Sequence, residues 1–299
     1  MHCCSPTAAF GLDTPFDEQP LLVTSPLFSP LVLALVRLLV AIYTTTVLVF
    51  GLVDSATRSN DASTYLTYFT RLSYIGICAY FWAATTQTLS FALRQRQRKS
   101  GYALQSWPKI LQFLHLYLTS SILTLPIIVT VVYWVLLTPS NLDDPINSAC
   151  VSHVADFHSQ LRPVLQLAFL TISQHALNAV FILFEMLLTN VPPPRWGYLG
   201  PCVLILALYL AMAYVVHAAQ GYYTYPFLNP VEQGPLLAAY VVGIGLAGVI
   251  VFILVHWIMR LRVRLTPPST PAYSEEMSEK RAREERIDEW EEIRQPTPV

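Results

Sequence analysis

Apolar residues in this chain fall in long runs, not in the alternation of a half-buried strand or the single stripe of a soluble helix. Six runs stand out, at about 31–53, 69–93, 110–137, 163–188, 199–219 and 236–259. Each is long enough to cross about 30 Å of hydrocarbon as a helix. Polar or Pro-rich connections separate them. The pattern predicts an all-α integral membrane protein, a six-transmembrane-helix bundle over residues 31–259, because a helix satisfies its backbone polar groups within its own segment. Residues 1–30 form a Pro/Ser/Thr-rich stretch without periodicity, expected to be a disordered tail. Residues 260–299 open with Arg260, Arg262 and Arg264, pass a Pro-rich hinge and end in a highly charged stretch. That tail is expected to be a solvated helix or disordered.

Polar residues inside the runs are the informative exceptions. His175, Asn178 and Glu185 share the fourth run. At about 100° per residue they fall within about 80° of one another, and Thr171 joins the stripe. Such a stripe is costly in hydrocarbon, so it should face a bundle interior or a cavity. The fifth run carries His217 and leads to Gly221 and then Tyr225-Pro-Phe-Leu228.

Composition agrees with the runs: 54% of residues are hydrophobic and 12% charged, against about 25% charged in soluble proteins. A soluble domain is excluded. The basic residues are unevenly placed. Arg94, Arg96, Arg98, Lys99, Lys109, Arg195 and the C-terminal tail lie on one side of a six-span layout; Arg58, Arg71 and Arg162 lie on the other. The positive-inside rule then makes both termini cytosolic.

Several motifs carry little. Gly243-Ile-Gly245-Leu-Ala-Gly248 spells a dinucleotide fingerprint, but inside an apolar run, where small residues serve close helix packing. His153, Asp156 and His158 fit no standard zinc spacing. The five cysteines form no disulfide framework; Cys3 and Cys4 are candidates for palmitoylation, and Cys78 and Cys202 read as small core residues. His115 reads as interfacial, and Arg37 as an arginine that snorkels to the cytosolic interface.

His175 is different, because it lies mid-run with Asn178 a turn away. A neutral buried imidazole suits a general base. A base needs a nucleophile, and the second run is preceded by Thr64-Tyr-Leu-Thr67-Tyr-Phe-Thr70-Arg71. A threonine whose proton is taken by a base can attack a carbonyl. From pattern alone these threonines read better as residues that cap or line a helix start.

Three stretches resemble a known family. Tyr65-Leu-Thr67 is similar to its aromatic-Leu-Thr segment. His175 followed ten residues on by Glu185-Met186 is similar to a second. Val216-His217 with Gly221 and Tyr225-Pro-Phe-Leu228 is close to a third. The chain resembles the androgen-induced membrane protein family, whose members include hydrolases of fatty acid esters of hydroxy fatty acids. The resemblance covers roughly residues 31–259. It implies a six-helix membrane enzyme with Thr67 as nucleophile and His175 as base. Thr70, Asn178, Glu185, His217 and Tyr225 would support the site or line the substrate, with Thr70 the reserve nucleophile. It implies no metal and no organic cofactor. The family usually has Asp or Asn where this chain has Thr70, and Arg71 follows.

The expected function is therefore intramembrane hydrolysis of lipid esters. The partners are a lipid substrate and the bilayer, with no nucleic acid and no protein partner indicated. The alternative is a non-catalytic membrane protein (a scaffold, a receptor-like bundle or a small transporter) using the His/Asn/Glu stripe as a ligand or proton site. The endoplasmic reticulum or another endomembrane is the expected location.

Overall fold

The computed structural model describes residues 9–12, 15–57, 62–137, 165–166 and 168–266. Among them there is no strand. Helix α1 spans Pro30–Thr57, α2 Phe69–Arg96, α3 Lys109–Val132, α4 Asn178–Leu188, α5 Leu199–Gln220 and α6 Leu236–Leu265. Five helical stretches are long and apolar enough to cross a membrane: Pro30–Thr57, Lys109–Leu137, Ala168–Leu188, Trp196–Gln220 and Leu236–Leu265. The protein is an integral, multi-pass membrane protein.

Helix α2 is as long as α1, 28 residues, but carries more polar side chains. It packs against both α1 and α3. Tyr74, Ile77, Tyr80, Phe81, Ala84 and Thr88 are buried there. The inward face of α2 is spared lipid and tolerates Thr85, Gln87 and Thr88, which are all buried, whereas Ile75, Trp82 and Leu89 are exposed on the other face.

Local rules explain the helix ends. Pro30 begins α1, where a missing N–H costs nothing. Gly221 ends α5 at φ 80°, its N–H donating to His217 O at 2.8 Å. Pro126 lies inside α3 and interrupts its hydrogen-bond ladder. Seven residues on, α3 runs into a π-helical turn, Tyr133–Leu137. A second π turn, Ser173–Leu177, leads into α4.

The end of α4 is tied down by side chains from elsewhere. Arg262 of α6 donates to the carbonyls of Met186, Thr189 and Val191. Ser25 Oγ donates to Leu188 O at 2.5 Å, and Asn190 Nδ2 to Thr24 Oγ1 at 3.0 Å. Part of the expected disordered tail is therefore ordered: Phe16, Leu22 and Val23 are buried in the bundle core. The reason is chemical. The tail has apolar residues without helical period, and a non-helical strap buries them just as well. The Asp17 carboxylate fastens it, accepting from the Leu21 and Leu22 amides and from the Tyr102 hydroxyl. Residues 267–299 and the 138–162 loop, with its two histidines, lie outside the described residues. So do Cys3 and Cys4.

Of the three glycines in the dinucleotide-like string, only Gly248 is close-packed. A Cβ there would meet Leu206 Cδ1 at 2.9 Å, whereas Gly243 and Gly245 face open space.

Candidate functional site

The polar stripe of the fourth run divides by depth. At one end Glu185 is fully buried and bound by Arg37 through both carboxylate oxygens, at 2.9 Å from Nε and 2.7 Å from Nη2. Tyr80 donates to the same carboxylate at 3.2 Å. The remaining donors of Arg37 reach Leu22 O at 3.0 Å and Thr88 Oγ1 at 2.6 Å. Arg37 does not snorkel: its exposure is 0%. The acid on α4 satisfies it, and the strap over it shuts out water. His115 is likewise buried, its ring stacked near Tyr80.

Midway, Asn178 bonds to α3 beside its in-helix proline. Its Nδ2 donates to Pro126 O at 3.3 Å, and its Oδ1 accepts from Thr130 Oγ1 at 3.0 Å.

At the other end His175 opens onto a cavity of about 400 Å³. The π turn of α3 brings Tyr133 face to face with the imidazole, centroids 3.7 Å apart and planes 13° apart. Trp134 Nε1 donates to the His175 carbonyl at 3.2 Å. The Nδ1 of His175 is buried without a partner. Thr70, Arg71, Thr171, Thr224 and Tyr225 line the same cavity. Among the described lining residues there is no carboxylate. The cavity therefore presents a ring nitrogen, hydroxyls and one cation.

Gly51 allows the near wall to close. Its missing side chain admits the Tyr65 hydroxyl, which would lie 2.8 Å from a Cβ there. Tyr65 in turn donates to Leu48 O at 3.1 Å.

Beside this chamber lies an apolar slot of about 210 Å³. Thr70, Tyr133, Leu137 and Tyr225 line both, so hydroxyls stand where the polar and apolar spaces meet. Ile128, Leu206, Leu210 and Ile244 supply the slot's walls.

Thr67 is elsewhere. It is 7% exposed and does not line the chamber. Its hydroxyl donates to Thr64 O at 2.7 Å and is 3.0 Å from the Tyr222 hydroxyl. His217 stacks on Tyr223 at 3.7 Å, and its buried Nδ1 is unpartnered. The structure thus brings His175, Thr70, Thr171 and Tyr225 to one cavity. It leaves Thr67, His217, Asn178 and Glu185 outside it. Ser73 lines a different, apolar cavity. Tyr133, Thr224 and Gly51 were missed by sequence reasoning. No periodicity reveals a ring delivered by a π turn.

A family model described as FAR-17a/AIG1-like protein matches residues 34–262. The match runs from within α1 to within α6, and the chain belongs to that family. Comparison with curated proteins and with solved structures finds no match.

Proposed function

We propose, with that family as the premise, that the protein is an intramembrane hydrolase of lipid esters, with His175 as general base. One observation carries this reading: an unpartnered, buried imidazole nitrogen shares a chamber with a threonine hydroxyl at the mouth of an apolar slot. A lipid ester has the matching form, a polar reacting bond on a hydrocarbon chain. The proposal includes six spans, α2 being the sixth, with both termini cytosolic and the chamber at the opposite end. At about 1.5 Å per residue α2 is long enough to cross.

The reaction runs in two steps. A threonine Oγ attacks the ester carbonyl carbon while its proton passes to His175. The tetrahedral intermediate collapses, and the departing alcohol oxygen takes that proton. Water, deprotonated by His175, then attacks the acyl-threonine. The acid leaves and the threonine recovers its proton. Esters of hydroxylated fatty acids are the substrates we favour, from the family resemblance.

The shared chamber favours Thr70 as nucleophile. The Tyr65-Leu-Thr67 motif favours Thr67, one turn away, and that role requires its hydroxyl to leave Tyr222. Fluorophosphonate labelling and lipid-ester turnover of the purified protein separate the two. His175→Ala should lose both signals. Loss in Thr70→Ala with retention in Thr67→Ala assigns Thr70, and the reverse assigns Thr67. Full activity in His175→Ala sinks the reading.

A further inference from the structure

At the other end of α2 from the chamber lies a cavity of about 1100 Å³ that hydrolysis does not use. The strap walls it through Phe16 and Glu18. The connection from α2 to α3 walls it through Arg98, Lys99, Trp107 and Lys109. The three cations are exposed. Arg37–Glu185 is the one salt bridge among the described residues, so none of the three is paired there. Glu18 is the one carboxylate among the described lining residues.

Basic residues at a helix end follow from the positive-inside rule alone, so their charge assigns nothing by itself. The backbone adds a second observation. Among the described residues, the non-glycine positions with positive φ are Asp17 and Arg98, at 44° and 57°. Arg98 lines the cavity, and Asp17 lies between Phe16 and Glu18, which also line it. After α2 the Arg98 N–H donates to Gln95 O and the Lys99 N–H to Arg94 O, both at 2.9 Å. That is the helix-closing turn whose left-handed position glycine fills at least cost. An arginine stands there instead, and such strained residues gather at ligand clamps.

Trp107 completes the site. It is 41% exposed just before the membrane stretch Lys109–Leu137, the level of an interfacial aromatic belt. Cations beside an aromatic ring at that level match a lipid headgroup, and basic pockets at the ends of membrane helices hold phosphorylated ones. Three cations against one carboxylate favour a headgroup with several charges over a lone phosphodiester, which carries one.

We propose that this cavity binds the headgroup of a membrane phospholipid bearing more than one phosphate. The site stands apart from the hydrolase reading, and its test needs no turnover.

The purified full chain in detergent is titrated with radiolabelled dioctanoyl phosphatidylinositol bisphosphate and dioctanoyl phosphatidylglycerol. Wild type should hold the bisphosphate about tenfold tighter or more, and the preference should shrink as salt rises. Arg98→Gln, Lys99→Gln and Lys109→Gln should each lower the ratio a few-fold. The triple variant should bring it near one with the melting temperature kept. Arg98→Gly should bind as weakly as Arg98→Gln while melting no lower than wild type, because it relieves the turn. Glu18→Gln should tighten binding. Arg260 and Arg264 are exposed cations near the end of α6, outside the cavity. Changing both to Gln should leave the ratio unaltered. A fall in that double variant equal to the triple's would make the preference a property of the whole basic face and overturn the site. An unchanged ratio in the triple variant overturns it too. Inositol trisphosphate offers the phosphates without the chains; if it binds as tightly as the lipid, the cavity belongs to a soluble anion and the lipid occupant is wrong.

Discussion

Two ends of one helical run, ten residues apart in sequence, are built on opposite terms. Around Glu185 every polar group is answered: a guanidinium, a phenol, a threonine and a backbone carbonyl form a closed set with no solvent access. Around His175 the accounts stay open. Its own Nδ1 and most of the Arg71 guanidinium lack partners among the described residues. A buried polar set with all partners present rigidifies a bundle. One with partners missing has room for a ligand. The same stripe thus supplies an anchor at one end and a site at the other.

Substitutions should expose that contrast. The largest loss of stability is expected for Glu185→Ala, which strands Arg37 without its counter-charge. Breaking a fully buried pair costs about 3–5 kcal/mol, read as a drop in melting temperature in detergent. Pairing Arg37→Met with Glu185→Leu should recover most of it. A Glu185→Ala protein that melts like wild type would falsify the anchor.

His175→Ala should reverse the pattern. Turnover should fall roughly 10²–10⁴-fold, the usual contribution of a positioned base, with a much smaller change in melting. A collapse of stability comparable to that of Glu185→Ala would mean that both ends are structural.

Asn178 lies between the two and should behave so. Asn178→Leu removes the amide that ties α4 to the Pro126 carbonyl of α3. A loss of about 1–3 kcal/mol is expected for buried groups left unmade. Turnover should fall modestly, because that tie holds α3 and its following Tyr133 against the His175 segment. No change in either measurement would show the tie to be dispensable.

The smallest stability effect belongs to Thr224→Val. Its hydroxyl has only a loose contact with Tyr209 to lose, so removal should change stability by no more than about 0.5 kcal/mol. A large destabilisation would show that the hydroxyl is in fact satisfied, by water or by an unseen group.

The helices were legible in the sequence because each apolar run needed nothing but its own length to be recognised. Even α2, polar by membrane standards, was visible through its start at Phe69 and its basic end at Arg94 and Arg96. The tail was misjudged, because Phe16 and Leu22 bury themselves without a period that a helical reading detects. For the site, angular arithmetic found the stripe but not its division. An angle says which face a residue shares, whereas depth decides its company, and His175 and Glu185 differ by about 15 Å along the axis. The partners were harder still. Tyr133 reaches His175 because two π turns shift the register on facing segments, and Pro126 was the sole hint that α3 departs from a regular helix.

The ion pair at the closed end also has a history during synthesis. Arg37 is made 148 residues before Glu185. At about 5–20 residues per second, the ribosome delivers the acid roughly 7–30 s after the arginine. Until then α1 carries a charge without its partner, which is costly at depth in hydrocarbon. Seven residues from the helix start, a long side chain can reach the headgroups meanwhile. The arrival of α4 completes the neutral pair and lets the guanidinium stay buried.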